Sequence, residues 1–91
     1  MTQDEKQHGN MVFEDALQAM KLEKRCARSG WNGKNMWVSV VYSGHSSVHN
    51  KHIDSLVVNH FLVIKDALGH IVPWLPSQDD LFAWDWFEVD A

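Results

Sequence analysis

Two short segments of the chain each combine a tryptophan with groups that suit the binding of a planar ligand. The first is Gly30-Trp31-Asn32-Gly33, and the second is PWLPSQ, which ends at Gln78. An indole stacks on a nucleobase for ~1–3 kcal/mol, while amide and hydroxyl groups can bind the base edge and the ribose. A helix that begins near Ser77 would offer N–H groups to a phosphate. The residue types leave core packing of both tryptophans open as the alternative.

Three histidines lie in one polar stretch, at a spacing that can hold zinc. They are His45, His49 and His52. Apart from Asp54, no carboxylate or thiolate lies near them, and zinc sites usually show a fuller ligand set. We therefore expect residues 43–54 to form a loop without a metal, and we expect no cofactor.

No motif places a nucleophile beside a base. Ser77, Asp80 and a histidine lack the G-x-S-x-G elbow of hydrolases, and S-x-x-D is more simply a helix-capping pattern. Cys26 lies in an apparent strand, where it is expected to pack. The sequence accordingly predicts a binding protein with no catalytic residue.

One amphipathic helix is predicted over residues 12–22. Phe13, Ala16 and Met20 recur at the spacing of one helix face, together with Leu17. This face is expected to pack on the core, with Asn10 or a nearby residue as the cap.

The remaining patterns predict a small sheet. Strands are expected at 36–42, 56–65, 71–74 and 84–89. Gly69 closes a turn that favours a positive φ, Pro73 and Pro76 are expected to break the hydrogen-bond ladder, and one helical turn is expected from Ser77 to Ala83. The predicted fold class is α+β, with one N-terminal helix packed on a small, mostly antiparallel sheet that carries functional loops.

Composition bounds the possible partners. The 91 residues fit one domain at 11–91, preceded by a polar tail at 1–10 that is expected to be disordered. Five tryptophans exceed what one small core needs, so some are candidates for an interface. A net charge of −4 argues against DNA or RNA. The single cysteine, and the lack of a membrane span or signal peptide, favour the cytoplasm.

Three blocks of sequence carry a family resemblance. They are F-x-x-A-L from Phe13, A-R-S-G-W-N-G-K from Ala27, and K-D-A-x-G-x-I-V-P-W-L-P-S-Q-x-D-L-x-A-x-D-W from Lys65. In their order and spacing they resemble the second Thoeris anti-defence family of phages, over residues 11–89 with 43–55 unmatched. Two departures are Val12, where the family usually has a Thr or Asn cap, and Trp84, where an acidic residue is usual.

The resemblance implies a function and an assembly. Members of that family are homotetramers that sequester glycocyclic ADP-ribose isomers between subunits without cleaving them, and some also hold cyclic dinucleotides at a separate site. Carried over to this chain, it implicates seven ligand-binding residues: Trp31, Asn32, Trp37, Trp74, Ser77, Gln78 and Asp80. Ligand preference could change in the unmatched loop.

Two other functions remain open from the residues. A protein–protein inhibitor would use an exposed aromatic surface formed by Trp84, Trp86 and Phe87. A phosphodiesterase-like enzyme would need a metal at residues 45–52.

Overall fold

An N-terminal helix packs against a five-stranded sheet, which confirms the predicted α+β class. A computed structural model describes residues 9–31, 35–41 and 59–89. Within these ranges the elements are α1 (Phe13–Lys21), β1 (Cys26–Arg28), β2 (Trp37–Val41), β3 (Phe61–Lys65), β4 (Ile71–Pro73), α2 (Gln78–Phe82) and β5 (Trp86–Glu88). The strand order is β4-β3-β2-β1-β5, and every one of these pairings is antiparallel. No helix in the described ranges is both long and apolar enough to cross a membrane.

Helix α1 begins within one residue of its predicted start, and no side chain caps it. Val12, in an extended conformation and without a side-chain hydrogen bond to the helix, occupies the N-cap position, not Asn10. Just upstream, Met11 exchanges two backbone hydrogen bonds with Trp86, of 3.0 and 3.1 Å. This pairing holds the chain extended immediately before the helix and leaves Asn10 outside the cap position. Glu14 and Asp15 in the first turn favour the helix through its dipole.

The predicted apolar face of α1 forms the main core. Phe13, Ala16 and Met20 are buried against Val38 of β2 and Trp86 of β5. Burial of such a stripe is what stabilises a short helix in a protein, since nine residues alone are marginal in water.

The helix ends in a left-handed residue that is not glycine. Glu23 has φ +66°, and its N–H donates to the Met20 carbonyl at 2.9 Å. The N–H of Lys24 donates to the Ala19 carbonyl at 3.1 Å. These two bonds satisfy carbonyls that the last turn leaves without intrahelical partners.

Two strands begin later in the chain than predicted. β3 begins at Phe61, and residues 56–58 of the predicted strand lie outside the described ranges. The closing strand begins at Trp86, not at residue 84. Gly69 has φ +91°, as its turn predicts.

Pro73 does not break the ladder where expected. It lies opposite Val63 in β4, and the next residue, Trp74, still donates to the Leu62 carbonyl at 2.9 Å. Because β4 is an edge strand and Pro73 sits at a position that donates nothing to β3, its missing N–H is harmless.

The two faces of the sheet differ in composition. Val38, Val40 and their partners Leu62 and Ile64 face the core beneath α1. Residues paired across strands share a face. The opposite face therefore carries Trp37, Val41, Phe61, Val63 and, on β5, Phe87, together with the polar Ser39 and Lys65. Helix α1 covers only the first face.

Candidate functional site

Four aromatic side chains meet where the two predicted binding segments come together, and we call them the aromatic cluster: Phe13, Trp31, Trp74 and Trp86. The Trp86 ring centroid lies 5.4 Å from that of Phe13, 5.4 Å from that of Trp31 and 6.0 Å from that of Trp74. The Trp31 and Trp74 centroids are 6.1 Å apart, with their planes at 76°. All four pairs have the edge-to-face geometry that aromatic rings prefer. Trp31 and Trp74 are partly exposed, so they form the outward side of the cluster.

Trp86 is the buried centre of the cluster. It is fully buried, and its indole N–H donates to the Asp80 carbonyl at 2.9 Å. The expected exposure of Trp86 in an inhibitory aromatic surface is therefore wrong, because its strand position faces the core. Trp84 is 76% exposed, and Phe87 is intermediate.

Trp31 is the last residue of a turn that begins at Arg28. The Trp31 N–H donates to the Arg28 carbonyl at 3.2 Å, so Ser29 and Gly30 are the central residues of that turn. A Cβ on Gly30 would lie 3.1 Å from a carboxylate oxygen of Asp85, and the Gly30 N–H donates to that same oxygen at 2.9 Å. Close approach of Asp85 accounts for glycine at this position.

A bridging arginine lies behind the cluster. The Nε of Arg28 donates to Oδ1 of Asp85, and its Nη1 donates to Oδ1 of Asp80, both at 2.9 Å. The Arg28 side chain is 20% exposed. Two charge-assisted hydrogen bonds in so sheltered a place are stronger than an ordinary surface ion pair.

The ionisation states of Arg28, Asp80 and Asp85 follow from their contacts. Burial raises the pKa of Asp80, but hydrogen bonds from the Ser77 N–H and from Arg28 outweigh it, so the pKa lies below its usual value. Asp85 behaves alike: burial raises its pKa, but hydrogen bonds from Arg28 and the Gly30 N–H outweigh this effect, so the pKa lies below its usual value. Burial lowers the pKa of Arg28, and the bonds to Asp85 and Asp80 raise it overall. All three groups are charged at neutral pH.

Ser77 and Asp80 form the predicted capping box of α2. The Ser77 hydroxyl accepts the Asp80 N–H at 3.1 Å and donates to Asp80 Oδ2 at 2.9 Å, and that oxygen also accepts the Ser77 N–H at 2.9 Å. With Oδ1 bound to Arg28, both carboxylate oxygens of Asp80 are engaged within the chain. Gln78 is exposed, so among the polar side chains of this segment predicted to bind ligand it has the most freedom to reach one.

The other predicted site residues lie elsewhere. Trp37 is on the sheet face opposite the aromatic cluster, with the Arg25 guanidinium 5.6 Å from its ring centroid, so one chain does not bring it together with Trp31 and Trp74. Asn32 lies outside the described residues, as do His45, His49 and His52. Within residues 9–31, 35–41 and 59–89, no group of three His, Cys, Asp or Glu could hold a metal ion.

The Cys26 thiol is inaccessible to reagents in the folded chain. It is fully buried, and its thiol donates to the Ala16 carbonyl at 3.6 Å. Burial, assisted by the negative charge of Glu88, raises the pKa of this thiol to about 11, against the opposing effect of Lys24. Its predicted packing role is confirmed.

Sequence reasoning missed the roles of Arg28 and Asp85. The sequence did carry a sign of the role of Arg28. Successive side chains of a strand point to opposite faces, so Arg28 lies on the same face as buried Cys26. A charged residue on a core face needs a partner. Its partner Asp85 lies 57 residues away, and nothing local in the sequence points to it.

Two comparisons with known proteins give matches over most of the chain. A family model described as "Tad2-like: Thoeris anti-defense 2-like domain" matches residues 11–89. A protein named Thoeris anti-defense 2, from Bacillus phage SP01, is 36% identical over 81 residues, which cover 84% of this chain and 91% of that protein.

Proposed function

The chain belongs to the Thoeris anti-defense 2-like family, and from that premise we propose that it binds a cyclic ADP-ribose-type signalling nucleotide and withholds it, uncleaved, from a bacterial defence effector. The observation that carries the proposal is the pairing of Trp31 and Trp74, two partly exposed indoles at 76° to one another beside the exposed Gln78. A base can stack on one indole plane while the other bounds its edge.

Binding without cleavage is supported by how the reactive side chains are used. The Ser77 hydroxyl is engaged in the capping box with Asp80. The Cys26 thiol is buried and has a pKa raised to about 11, so it is a poor nucleophile at neutral pH. Acting on a host signal would place the protein in the cytoplasm of the bacterial host. A cyclic dinucleotide is a second ligand class that we propose by family analogy alone.

We also propose a homotetramer with ligand sites between subunits. Leu75, Phe82 and Trp84 are each at least 75% exposed. So much apolar surface on a small chain is typical of a protein–protein interface. Two copies could also bring Trp37 of one chain near the aromatic cluster of another. Native mass spectrometry at micromolar concentration should show a tetramer, and a stable monomer would rule this assembly out.

The central test is recovery of the ligand. A glycocyclic ADP-ribose isomer mixed with excess protein should lose its ability to activate its effector. Heating unfolds the protein, which then has no affinity, and should return the same molecule. Chromatography of the heated supernatant should show unchanged nucleotide, whereas a linearised or hydrolysed product would identify an enzyme.

A pair of variants separates this function from protein–protein inhibition. Trp31→Ala should weaken nucleotide binding by at least about tenfold, and Trp84→Ala, which removes an exposed indole outside the aromatic cluster, should not. The exposure of Trp84 is the observation that keeps the inhibitor alternative in view. The inhibitor explanation is correct if Trp84→Ala fails to protect against defence and Trp31→Ala still protects, although the nucleotide stays free with both variants.

A further inference from the structure

Arg28 joins the two segments that carry the partly exposed tryptophans. It lies on β1 directly opposite Trp86 of β5, behind the aromatic cluster. Its two bonds reach Asp85, just before β5, and Asp80, inside α2, each at 2.9 Å. The side chains of Asp80 and Asp85 are 13% and 30% exposed, so water competes weakly for these bonds.

Asp85 passes the connection on to Trp31. Its Oδ2 accepts the Gly30 N–H at 2.9 Å, and its backbone carbonyl accepts the Ser29 N–H at 2.9 Å. The turn then closes from the Trp31 N–H to the Arg28 carbonyl at 3.2 Å. The backbone leading into Trp31 is thus anchored to both ends of the Arg28–Asp85 ion pair.

Asp80 makes the matching connection on the other side. Its Oδ2 accepts the Ser77 N–H and hydroxyl, which fixes the chain three residues after Trp74. Its backbone carbonyl holds the Trp86 indole N–H at 2.9 Å. Arg28, Asp80 and Asp85 therefore form one network, with Trp31 at one end and the segment after Trp74 at the other.

We propose that Arg28 is a positioning residue that sets the separation and angle of the Trp31 and Trp74 indoles. This inference rests on the proposed nucleotide-binding function for its purpose. Its charge is balanced by two carboxylates, so Arg28 acts through its neighbours and not as a phosphate ligand. When the aromatic planes are already ordered, binding of the ligand does not incur the entropic cost of ordering them. Both carboxylate oxygens of Asp80 are engaged within the chain, so Asp80 also supports the site through its neighbours.

The first test needs no ligand. Protein labelled with 5-fluorotryptophan has one ¹⁹F resonance for each of five tryptophans, and Trp31→Phe, Trp74→Phe and Trp84→Phe assign three of them. Arg28→Gln should shift or broaden the Trp31 and Trp74 resonances and leave that of exposed Trp84 in place. The matched control is Lys24→Gln, which removes an exposed ion pair to Glu88 of the same β5 strand. Unchanged Trp31 and Trp74 resonances in folded Arg28→Gln would overturn the proposal.

The second test is a double-mutant cycle with a glycocyclic ADP-ribose isomer as the probe. Arg28→Gln should weaken binding about tenfold in the wild-type background and less than about threefold in the Trp31→Ala background, because coupled residues are not additive. Equal losses in both backgrounds would show a general structural role and contradict positioning. If the wild type binds no such nucleotide, the proposed function fails, while the ¹⁹F result still decides whether Arg28 holds the indoles.

Arg28→Lys keeps the proposal testable if the glutamine variant does not fold. Lysine preserves the charge, but its single ammonium cannot present the guanidinium's two separated donors to both carboxylates. We expect ¹⁹F shifts in the same direction and a smaller loss of affinity. Wild-type spectra and affinity in Arg28→Lys would show that a charge alone suffices, and would overturn the proposed role of the bridge.

Discussion

Trp31 is a side chain divided between core and solvent. One part contacts buried Trp86 at a centroid distance of 5.4 Å, while the indole remains partly exposed. We predict that Trp31→Ala weakens nucleotide binding by at least about tenfold, the loss of one stacking contact. Unfolding free energy should fall by only about 1–2 kcal/mol, less than the ~3–5 kcal/mol of a fully buried tryptophan.

Calorimetric titration and chemical denaturation measure the two effects separately. Trp86→Ala is the contrasting variant, and its stability loss should be much larger because Trp86 is fully buried. A Trp31→Ala protein that loses as much stability as Trp86→Ala would show that Trp31 is chiefly a core residue.

Cys26 should be inert until the chain unfolds. With the thiol pKa raised to about 11, only about one molecule in a thousand carries the reactive thiolate at pH 8. Iodoacetamide should therefore label native protein slowly and guanidinium-unfolded protein rapidly, as followed by mass spectrometry. Comparable labelling rates in the two states would contradict both the burial and the pKa.

At the scale of elements, the residue that follows α1 has an unfavourable backbone conformation that a substitution can relieve. Glu23 adopts φ +66°, a conformation that glycine accepts without the Cβ penalty. Glu23→Gly should raise the unfolding free energy by about 0.5–1 kcal/mol and the melting temperature by a few degrees. Gln18→Gly, at an exposed position inside the same helix, should lower stability by about 1 kcal/mol. Destabilisation by both variants would mean that the side chain of Glu23 contributes more than its backbone costs.

Elements that depend on neighbouring residues were predictable from the sequence. The face of α1 follows from the spacing of Phe13, Ala16 and Met20, and the S-x-x-D pattern specifies the Ser77–Asp80 capping box. The same local reasoning cannot place the N-cap of α1. There, pairing of Met11 with distant Trp86 decides the backbone, and no capping side chain is used.

Features made by distant residues were not predictable in detail. Alternation in the closing segment indicates that Trp84 and Trp86 lie on one side of a strand, but the strand begins only at Trp86, and their burial is opposite. The sequence brings the two tryptophan segments forward as candidates, yet the Arg28 bridge between them depends on sheet topology. Whether the seven candidate residues bind ligand stays a prediction.

At the scale of the whole molecule, the Arg28 network ties stability to pH. The pKa values of Asp80 and Asp85 lie below their usual range in the folded state. Their contribution is therefore present above the unfolded-state pKa of about 3.9 and is lost as pH falls through the folded-state values. The melting temperature should drop on acidification from about pH 5 to pH 2.

Arg28→Gln should flatten that acid dependence, because it removes one of the causes that lower both pKa values. Asp79→Asn, which changes an exposed carboxylate next to Asp80, serves as the control and should leave most of the dependence in place. Melting curves recorded at several pH values give the comparison. An equally steep acid loss in Arg28→Gln would assign it to other groups.

The two edges of the sheet differ in their capacity to accept a further strand. β4 is the last strand on one side, with Ile71 and Val72 exposed, while beyond β5 Met11 already occupies the outward N–H and carbonyl of Trp86. A fibre needs a donor and an acceptor edge on every subunit, and this arrangement favours strand addition at one edge. Two molecules that joined through β4 would present their β5 edges outward, so growth of the sheet by strand addition would end at the pair. Truncation before Val12 would unblock the second edge and turn a self-limiting contact into one that can propagate.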